Sequence, residues 1–337
     1  MKEKGRNRSL IFRSVIRDNI GIIGVLVLLG TILSFTSEYF LTTDNIVSVL
    51  RQVSTNMYLA LGMTLVIILG GIDLSVGSLV AMCGTMVVGF IVKNGLPIWL
   101  AMIICLGLGT LCGFLNGFVI AQFRVPAFIV TLAMMNIAKG AAYIYSGGRS
   151  TRIMDPAFNV FGTGQLFGFL PLPIVYMIVL LVVFSVLLNR TRFGTYVLAI
   201  GGNRQAAHFS GVPVKRVEIA VYTITGFLAA FAGLVLAARM YSGQPAVGEG
   251  YELDAIAACV LGGVSMSGGV GRISGTFFGV IVIGIISNGL NLMGVSSFWQ
   301  LVAKGLIILA AVLIDSSKAN RGSFKRLVVG LLSGKED

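Results

Sequence analysis

The sequence predicts an all-α, polytopic integral membrane protein with about ten transmembrane helices, and three properties support this fold class. Of the 337 residues, 56% are hydrophobic and 11% are charged. The mean hydropathy is +0.94, far from the usual balance of a soluble domain. The apolar residues form runs close to the roughly 20 residues that a helix needs to cross a bilayer. Because only helices and closed barrels satisfy their backbone in lipid, these runs predict transmembrane helices.

The apolar runs define a single transmembrane domain over residues 19–315. A basic segment, residues 1–18, precedes it, and a basic tail, residues 316–337, follows it. No small-residue cleavage site follows the first run, so we expect an uncleaved first span. Ten spans are predicted near residues 19–36, 46–69, 74–92, 98–121, 127–146, 172–188, 218–238, 254–268, 273–291 and 297–315.

Basic residues between the runs predict the orientation of the chain. With an inner N-terminus, only four of them fall on outer segments: Lys93, Arg149, Arg152 and Arg239. The other loop and terminal Lys and Arg residues fall inside, as expected for cytoplasmic segments. Both termini are therefore predicted to be cytoplasmic. Removing the eighth span would place the basic tail outside, which disfavours that alternative.

The composition excludes several kinds of function. The formal net charge is +12, but the basic residues are dispersed in short segments, which indicates topology signals and no nucleic-acid partner. The four cysteines lie in apolar runs without a CxxC or Cys/His spacing, so we expect packing residues and no metal site. The only histidine, His208, has no second ligand or carboxylate set near it in the sequence, so no catalytic site is predicted.

The stretch LGGIDLSVGS, residues 69–78, places an acidic residue between apolar runs. An ionised carboxylate at the bilayer centre costs roughly 2.5 to 3.5 kcal/mol, so Asp73 is expected near an interface, paired, or in a polar cavity. We predict a cytoplasmic interhelical turn where Asp73 caps the next helix through the backbone N–H of Ser75 or Val76. A direct functional role is the alternative. The predicted structural motif comprises Gly70, Gly71, Asp73, Ser75 and Gly77.

The longest polar segment on the inner side spans residues 189–217. Asn203 can cap a short helix over residues 204–210, and Gly211 is suited to a left-handed position after its end. Short loops usually suffice between spans, so this segment is expected to dock a cytoplasmic partner. A solvated loop is the alternative.

The chain has no motif for binding nucleotide phosphates. It contains no G-x-x-x-x-G-K-[ST] loop, so neither an ATPase site nor a bound cofactor is predicted. The string GGVGRISG, residues 268–275, precedes a membrane helix and follows no strand, which argues against a dinucleotide fingerprint. Glycines at four-residue spacing instead predict close helix packing, as at Gly109, Gly113 and Gly117.

Three stretches resemble one family. GGIDLSVGS, the block from Gly250 to Gly279 and the block from Asn288 to Asp315 are similar to permease subunits of bacterial monosaccharide ABC importers, the ribose, galactose, xylose and arabinose group. The resemblance extends from Thr42 to Asp315 and is greatest to the ribose permeases. It implies import of a monosaccharide, ribose first, by alternating access across the lipid of the bacterial cytoplasmic membrane. The implied partners are a second permease copy forming a homodimeric pore, an external sugar-binding protein and a cytoplasmic ABC ATPase that uses the ATP.

The same resemblance assigns the coupling role to the polar inner segment. In the family this segment is a helix that sits in a groove of the ATPase, and Ala206 and Gly211 match its alanine and glycine. An acidic residue common after the asparagine is replaced here by Arg204 and Gln205, so no salt bridge to the ATPase is expected there. The candidate coupling residues are Asn203, Arg204, Gln205, Ala206, Ala207, His208 and Gly211.

The sugar path leaves a weaker signal, because the amides that bind hydroxyl groups also join helices. Each candidate is therefore as consistent with helix-to-helix hydrogen bonds. Lys139 and Lys304 are expected to meet backbone carbonyls or to snorkel, and Glu252 and Asp254 to cap the short eighth helix or meet a binding protein. The candidate path residues are Asn56, Asn116, Asn136, Asn288, Asn291 and Gln300.

Two other classes of membrane protein fit the composition less well. An ion-coupled carrier usually has related halves and ionisable residues deep within its spans, and this chain has no internal repeat. A membrane enzyme needs a nucleophile, metal cluster or carboxylate pair near an interface. No such set is present in the sequence.

Overall fold

The computed structural model describes residues 19–296, 298–307, 309–310 and 312–313. Their fold is all-α, as predicted, with four two-residue strands. The predicted basic segments 1–18 and 316–337 lie outside the described residues, as does the end of the predicted tenth span.

The helices follow the apolar runs closely. The first group comprises α1 (Ile20–Thr36), α2 (Thr43–Ile68), α3 (Val76–Val92), α4 (Ile98–Phe123), α5 (Ala127–Ser146) and α6 (Pro156–Thr163). The second comprises α7 (Leu172–Arg190), α8 (Arg192–Gly202), α9 (Arg204–Phe209), α10 (Val214–Arg239), α11 (Tyr251–Leu261), α12 (Ile273–Leu292) and α13 (Phe298–Ile307). The strands are β1 (Thr151–Arg152), β2 (Gln165–Leu166), β3 (Leu170–Pro171) and β4 (Ser242–Gly243).

Two helices form the centre of the bundle. α2 and α10 bury most of their residues, and α10 packs against α4, α3, α2 and α6. α12 packs against α11, α2 and α1. Within the part of the chain that the structure describes, five helices are long and apolar enough to cross a membrane, namely α4, α5, α7, α10 and α12. Few of the residues of α4, α5 and α7 are buried, so these helices form the lipid-facing or subunit-facing surface.

Small residues allow α4 and α10 to approach closely, as their spacing predicted. A Cβ atom at Gly113 would collide with the carbonyl of Tyr222 and the backbone of Gly226. A Cβ at Gly109 would meet the carbonyl of Gly226 at 2.8 Å. Backbone contact of this kind provides the dispersion energy that joins helices in lipid, where no hydrophobic force acts between them.

The predicted spans and the helices differ at two places. The third helix begins at Val76, two residues after its predicted start, and Gly71 to Ser75 before it are non-helical, as the predicted turn requires. The predicted eighth span, residues 254–268, contains only α11, whose 11 residues extend about 16 Å at 1.5 Å per residue. A bilayer core is about 30 Å thick, so α11 alone cannot cross it. The count of ten crossings stays a prediction.

Two sets of contacts define the ends of the bundle. At one end, here called the inner end after the predicted orientation, the N–H of Gly269 donates to the carbonyl of Ile68 at 2.8 Å. At the opposite, outer end, β1 pairs with β4, and the Tyr145 hydroxyl donates to Asn94 Oδ1 at 2.7 Å. Each end therefore gathers segments that the charge pattern assigned to one side of the membrane.

The tight contact between α4 and α10 generates a prediction. Gly113→Ala places a methyl group against the backbone of α10. This substitution is expected to destabilise the fold by about 1 to 3 kcal/mol, the typical cost of overpacking. Gly107→Ala is the matched control, because a Cβ there meets nothing within 4 Å. Thermal unfolding in detergent should show a lower midpoint for Gly113→Ala only. Equal midpoints for the two variants would contradict the close packing.

Candidate functional site

The polar inner segment folds as its capping signals predicted. α9 spans Arg204–Phe209, and Asn203 Oδ1 accepts from the backbone N–H of Ala206 at 2.9 Å. Gly211 has φ of +82°, a left-handed conformation that residues with a Cβ rarely adopt. Its N–H donates to the carbonyl of His208 at 3.0 Å. Local hydrogen bonds therefore close both ends of a helix too short to be stable alone.

One face of α9 is exposed at the inner end. Gln205, Ala206 and His208 are exposed, whereas Ala207 packs into the protein. Phe209 is 86% exposed, although it is the largest apolar side chain of the segment. Phe209 is not among the predicted coupling residues, although an aromatic side chain on a short polar helix could have indicated it. An exposed phenyl ring beside a small alanine is typical of a surface that contacts another protein.

Arg204 anchors α9 to the membrane domain. Its guanidinium makes a bidentate ion pair with the carboxylate of Glu218 on α10, and its Nη2 donates to Glu218 Oε2 at 2.8 Å. Burial and the neighbouring Arg124 guanidinium lower the pKa of Arg204. An arginine in place of the family's acidic residue therefore has a partner within its own chain.

The segment before α9 touches the inner end of α2. A Cβ at Gly201 would collide with the carbonyl of Ile68 and the N–H of Gly269. Three backbones from distant parts of the sequence therefore meet at one junction, which we call the glycine junction (Ile68, Gly201 and Gly269). Backbone contact leaves no flexible side chain between these segments, so displacement of one displaces the others.

The stretch after this junction carries the predicted structural motif. Asp73 is fully buried, and its Oδ1 accepts from the backbone N–H of Ser75 at 2.9 Å and from the Ser75 hydroxyl at 2.6 Å. Asn116 Nδ2 of α4 donates to the same hydroxyl at 3.1 Å. The Tyr222 hydroxyl lies against Gly71. The motif is thus a buried polar network joined to α4 and α10.

The predicted hydrogen bond to Ser75 is confirmed, but the predicted N-cap role of Asp73 is wrong. The N-cap residue of α3 is Ser75, so Asp73 closes a local turn before the helix and does not cap it. Asp73 is fully enclosed by protein, because α4, α5 and α10 cover the non-helical segment, as backbone without helical hydrogen bonds requires in a membrane.

Gly77 completes the motif at a second close contact. A Cβ there would collide with the carbonyl of Gly248 and with Glu252 Oε2. Gly248 belongs to the loop between β4 and α11 and has φ of +83°. The start of α3 therefore packs backbone to backbone against this loop, which only glycine at position 77 permits.

The six candidate path residues lie in separate places. Asn45 and Asn288 exchange amide hydrogen bonds of 3.1 and 2.8 Å at the outer end. Gln300 Nε2 donates to Asn291 Oδ1 at 2.8 Å. Asn56 is buried within α2, and Asn116 belongs to the Asp73 network. Only Asn136 lines the mid-helix cavity described next, so a common path through all six stays a prediction.

A cavity of about 150 Å³, with polar and apolar lining, lies beside Gly77, between α3, α5 and the loop before α11. We call it the central cavity, because Asn136 and Lys139 reach it from the middle of the 20-residue α5. Its polar lining consists of Ser78, Asn136, Lys139, Glu249 and Glu252.

Two lysines expected to meet carbonyls or to snorkel have carboxylate partners instead. Lys139 Nζ lies 3.7 Å from Glu249 Oε2, and Lys304 Nζ donates to Asp254 Oδ2 at 2.8 Å. The N-cap of α11 is Gly250, and the Glu252 carboxylate accepts from the backbone N–H groups of Gly250 and of Glu252 itself, so Glu252 caps the start of α11 as expected, whereas Asp254 does not. Asp254 joins α11 to α13, and Glu252 faces the central cavity. Among the described residues no group of His, Cys, Asp and Glu could hold a metal ion.

Comparison with known proteins decides the family. A family model described as "Branched-chain amino acid transport system / permease component" matches residues 45–312. The chain belongs to this family. It is an integral permease of the cytoplasmic membrane, as predicted.

Curated permeases cover nearly the whole chain. The ribose import permease of Bacillus subtilis (strain 168) is 46% identical over 87% of this chain and 91% of its own length. The ribose import permease of Escherichia coli (strain K12) is 42% identical over 92% and 97%. The L-arabinose transport system permease of Escherichia coli (strain K12) is 42% identical over 89% and 91%. No solved structure matches the chain.

The Asp73 network predicts an ordered series of variants. Asp73→Asn keeps the Oδ1 acceptor for Ser75 and removes a buried charge, so it should unfold at or above the wild-type temperature. Asp73→Leu leaves the N–H and hydroxyl of Ser75 without an acceptor, a loss of about 1 to 3 kcal/mol. Thermal unfolding in detergent measures both. Equal stability of the two variants would contradict the network, and loss of transport by stable Asp73→Asn would indicate a direct role.

Proposed function

We propose that the chain is the pore-forming permease of an ATP-driven monosaccharide importer, with ribose as the first substrate to test. One observation carries the proposal: ribose import permeases share 42–46% identity with this chain over most of its length. Identity of this extent favours a shared substrate class over the amino acids in the family description. Because an L-arabinose permease is also 42% identical to this chain, other pentoses are candidate substrates too.

Energy would enter through the exposed face of α9. The chain has no phosphate-binding loop, so a cytoplasmic ABC ATPase would hydrolyse the ATP. Docking of the ATPase at Ala206 and Phe209 would transmit its movement to α9. The Arg204–Glu218 ion pair fixes α9 to α10. The glycine junction would pass the displacement to residues 70–77 and so alternate the access of the path.

A second copy of the chain would complete the pore. Asn136 and the side chain of Lys139, which is 41% exposed, lie near the middle of α5. A polar surface at that depth is costly in lipid and normally faces a water-filled path or another protein chain. An external sugar-binding protein would deliver the substrate to the outer end.

The decisive experiment is reconstitution in proteoliposomes with a candidate ATPase and a ribose-binding protein. Uptake of labelled ribose should require ATP, the binding protein and the permease together. Excess arabinose, xylose, galactose and leucine measure selectivity by competition. ATP-dependent uptake of leucine without ribose uptake would replace the monosaccharide with an amino acid, and ATP-independent uptake would identify a carrier.

Coupling predicts a specific effect of Ala206→Trp. A bulky side chain on a docked helix overfills the contact, at a typical cost of about 1 to 3 kcal/mol. This corresponds to a roughly 5- to 150-fold loss of ATPase affinity at tenfold per 1.4 kcal/mol. Co-purification of the ATPase and ATP-driven uptake should fall together, while membrane insertion stays normal.

Ala157→Trp is the control for co-purification, because Ala157 is exposed on α6 at the outer end. It should retain the ATPase fully. If Ala206→Trp keeps both the ATPase and full uptake, α9 is a solvated helix and coupling occurs elsewhere.

A further inference from the structure

We infer that the central cavity is a binding site for the sugar in transit, where side chains of α3, α5 and α11 hold its hydroxyl groups. The inference rests on the proposed function and names the residues that would make the path selective. The central cavity is separate from the inner-end surface of α9.

The depth of the cavity is the first observation. Asn136 is the tenth of the 20 residues of α5, which places it midway along the helix. On the opposite wall, Gly77 and Gly248 bring the start of α3 against a non-helical loop. Irregular backbone at this depth occurs where it is buried in protein or lines a polar cavity, and substrate sites of transporters use such interrupted helices.

The chemistry of the lining is the second observation. Ser78 offers a hydroxyl, Asn136 an amide, Lys139 an ammonium, and Glu249 and Glu252 carboxylates. Together they present donors and acceptors to a ligand that carries both at each hydroxyl. Lys139 and Glu249 form an ion pair with 3.7 Å between Nζ and Oε2, longer than a hydrogen bond, so their remaining hydrogen-bonding capacity faces the cavity.

Size and charge narrow the ligand class. A cavity of about 150 Å³ equals the engineered cavity that accepts benzene in another protein, so one six-membered ring fits. Two carboxyl groups and one ammonium group line the cavity, which disfavours an anionic ligand. A neutral pentose or hexose ring matches this set, because each of its hydroxyl groups can both donate and accept.

The test uses the reconstituted complex with the ATPase and the ribose-binding protein, and it measures two activities of each variant. Asn136→Leu and Glu252→Gln should lower ribose uptake at least tenfold. The ATPase rate stimulated by ribose-loaded binding protein should stay within twofold of wild type, because the outer end and α9 are unchanged. Ala133→Leu, an exposed position one turn away on α5, is the matched control and should keep both activities.

Reversing the charges of Lys139 and Glu249 distinguishes a binding site from a purely structural ion pair. If Lys139 and Glu249 only brace α5 against the loop, Lys139→Glu combined with Glu249→Lys restores the pair and the uptake. A binding site predicts that uptake stays at least fivefold low and that competition by other sugars changes.

Three results would overturn the inference: wild-type uptake in Asn136→Leu and Glu252→Gln, full rescue by the charge reversal, or parallel loss of ATPase stimulation and uptake. The last would show a structural role. Failure of the wild-type complex to import any sugar is a different result, because it overturns the proposed function itself.

Discussion

The structure depends on one constraint, which is that backbone without helical hydrogen bonds must be covered by protein inside a membrane. Two segments have such backbone, residues 71–75 before α3 and the loop before α11. The loop packs against the start of α3 where Gly77 meets Gly248, and in residues 71–75 Asp73 accepts from the Ser75 hydroxyl, which in turn accepts from Asn116 of α4. The surrounding helices are arranged to enclose them.

The same constraint explains the distribution of glycine. Cβ atoms at Gly77, Gly113 and Gly201 would each collide with a backbone carbonyl of another element. Contacts between backbones are rigid, since no rotatable side chain separates the elements. A force applied at α9 is therefore expected to reach the interrupted third helix through Gly201 and Ile68, without a dedicated chain of side chains.

Local signals made part of the structure predictable. Asn203 and Gly211 defined the ends of α9, because caps are formed by residues adjacent in sequence. Glycine spacing in α4 indicated a close helix contact, since residues four apart share one helix face, and the structure identifies α10 as the partner. The apolar runs predicted the all-helical class, because they too are formed by residues adjacent in sequence.

The missed features depend on partners distant in sequence. Gly70 and Gly71 predicted the turn before α3, and the eighth helix was expected to be short, but the sequence does not reveal which helices cover the non-helical segment at residues 71–75. The partners of Arg204, Lys139 and Lys304 are at Glu218, Glu249 and Asp254, which only the folded chain brings near. The central cavity could not be predicted for the same reason, because α3, α5 and the loop before α11 meet around it only in the folded chain.

The most direct test of the account measures motion across the central cavity. Spin labels at Ser78 and Met135, in a variant lacking the four native cysteines, report the distance between α3 and α5 in the complex with its ATPase. A non-hydrolysable ATP analogue should shift this distance, and Gly201→Val, which disrupts the glycine junction, should abolish the shift while the ATPase stays bound. An unchanged distance in a complex that still imports sugar would contradict the claim that α9 drives the interrupted helix.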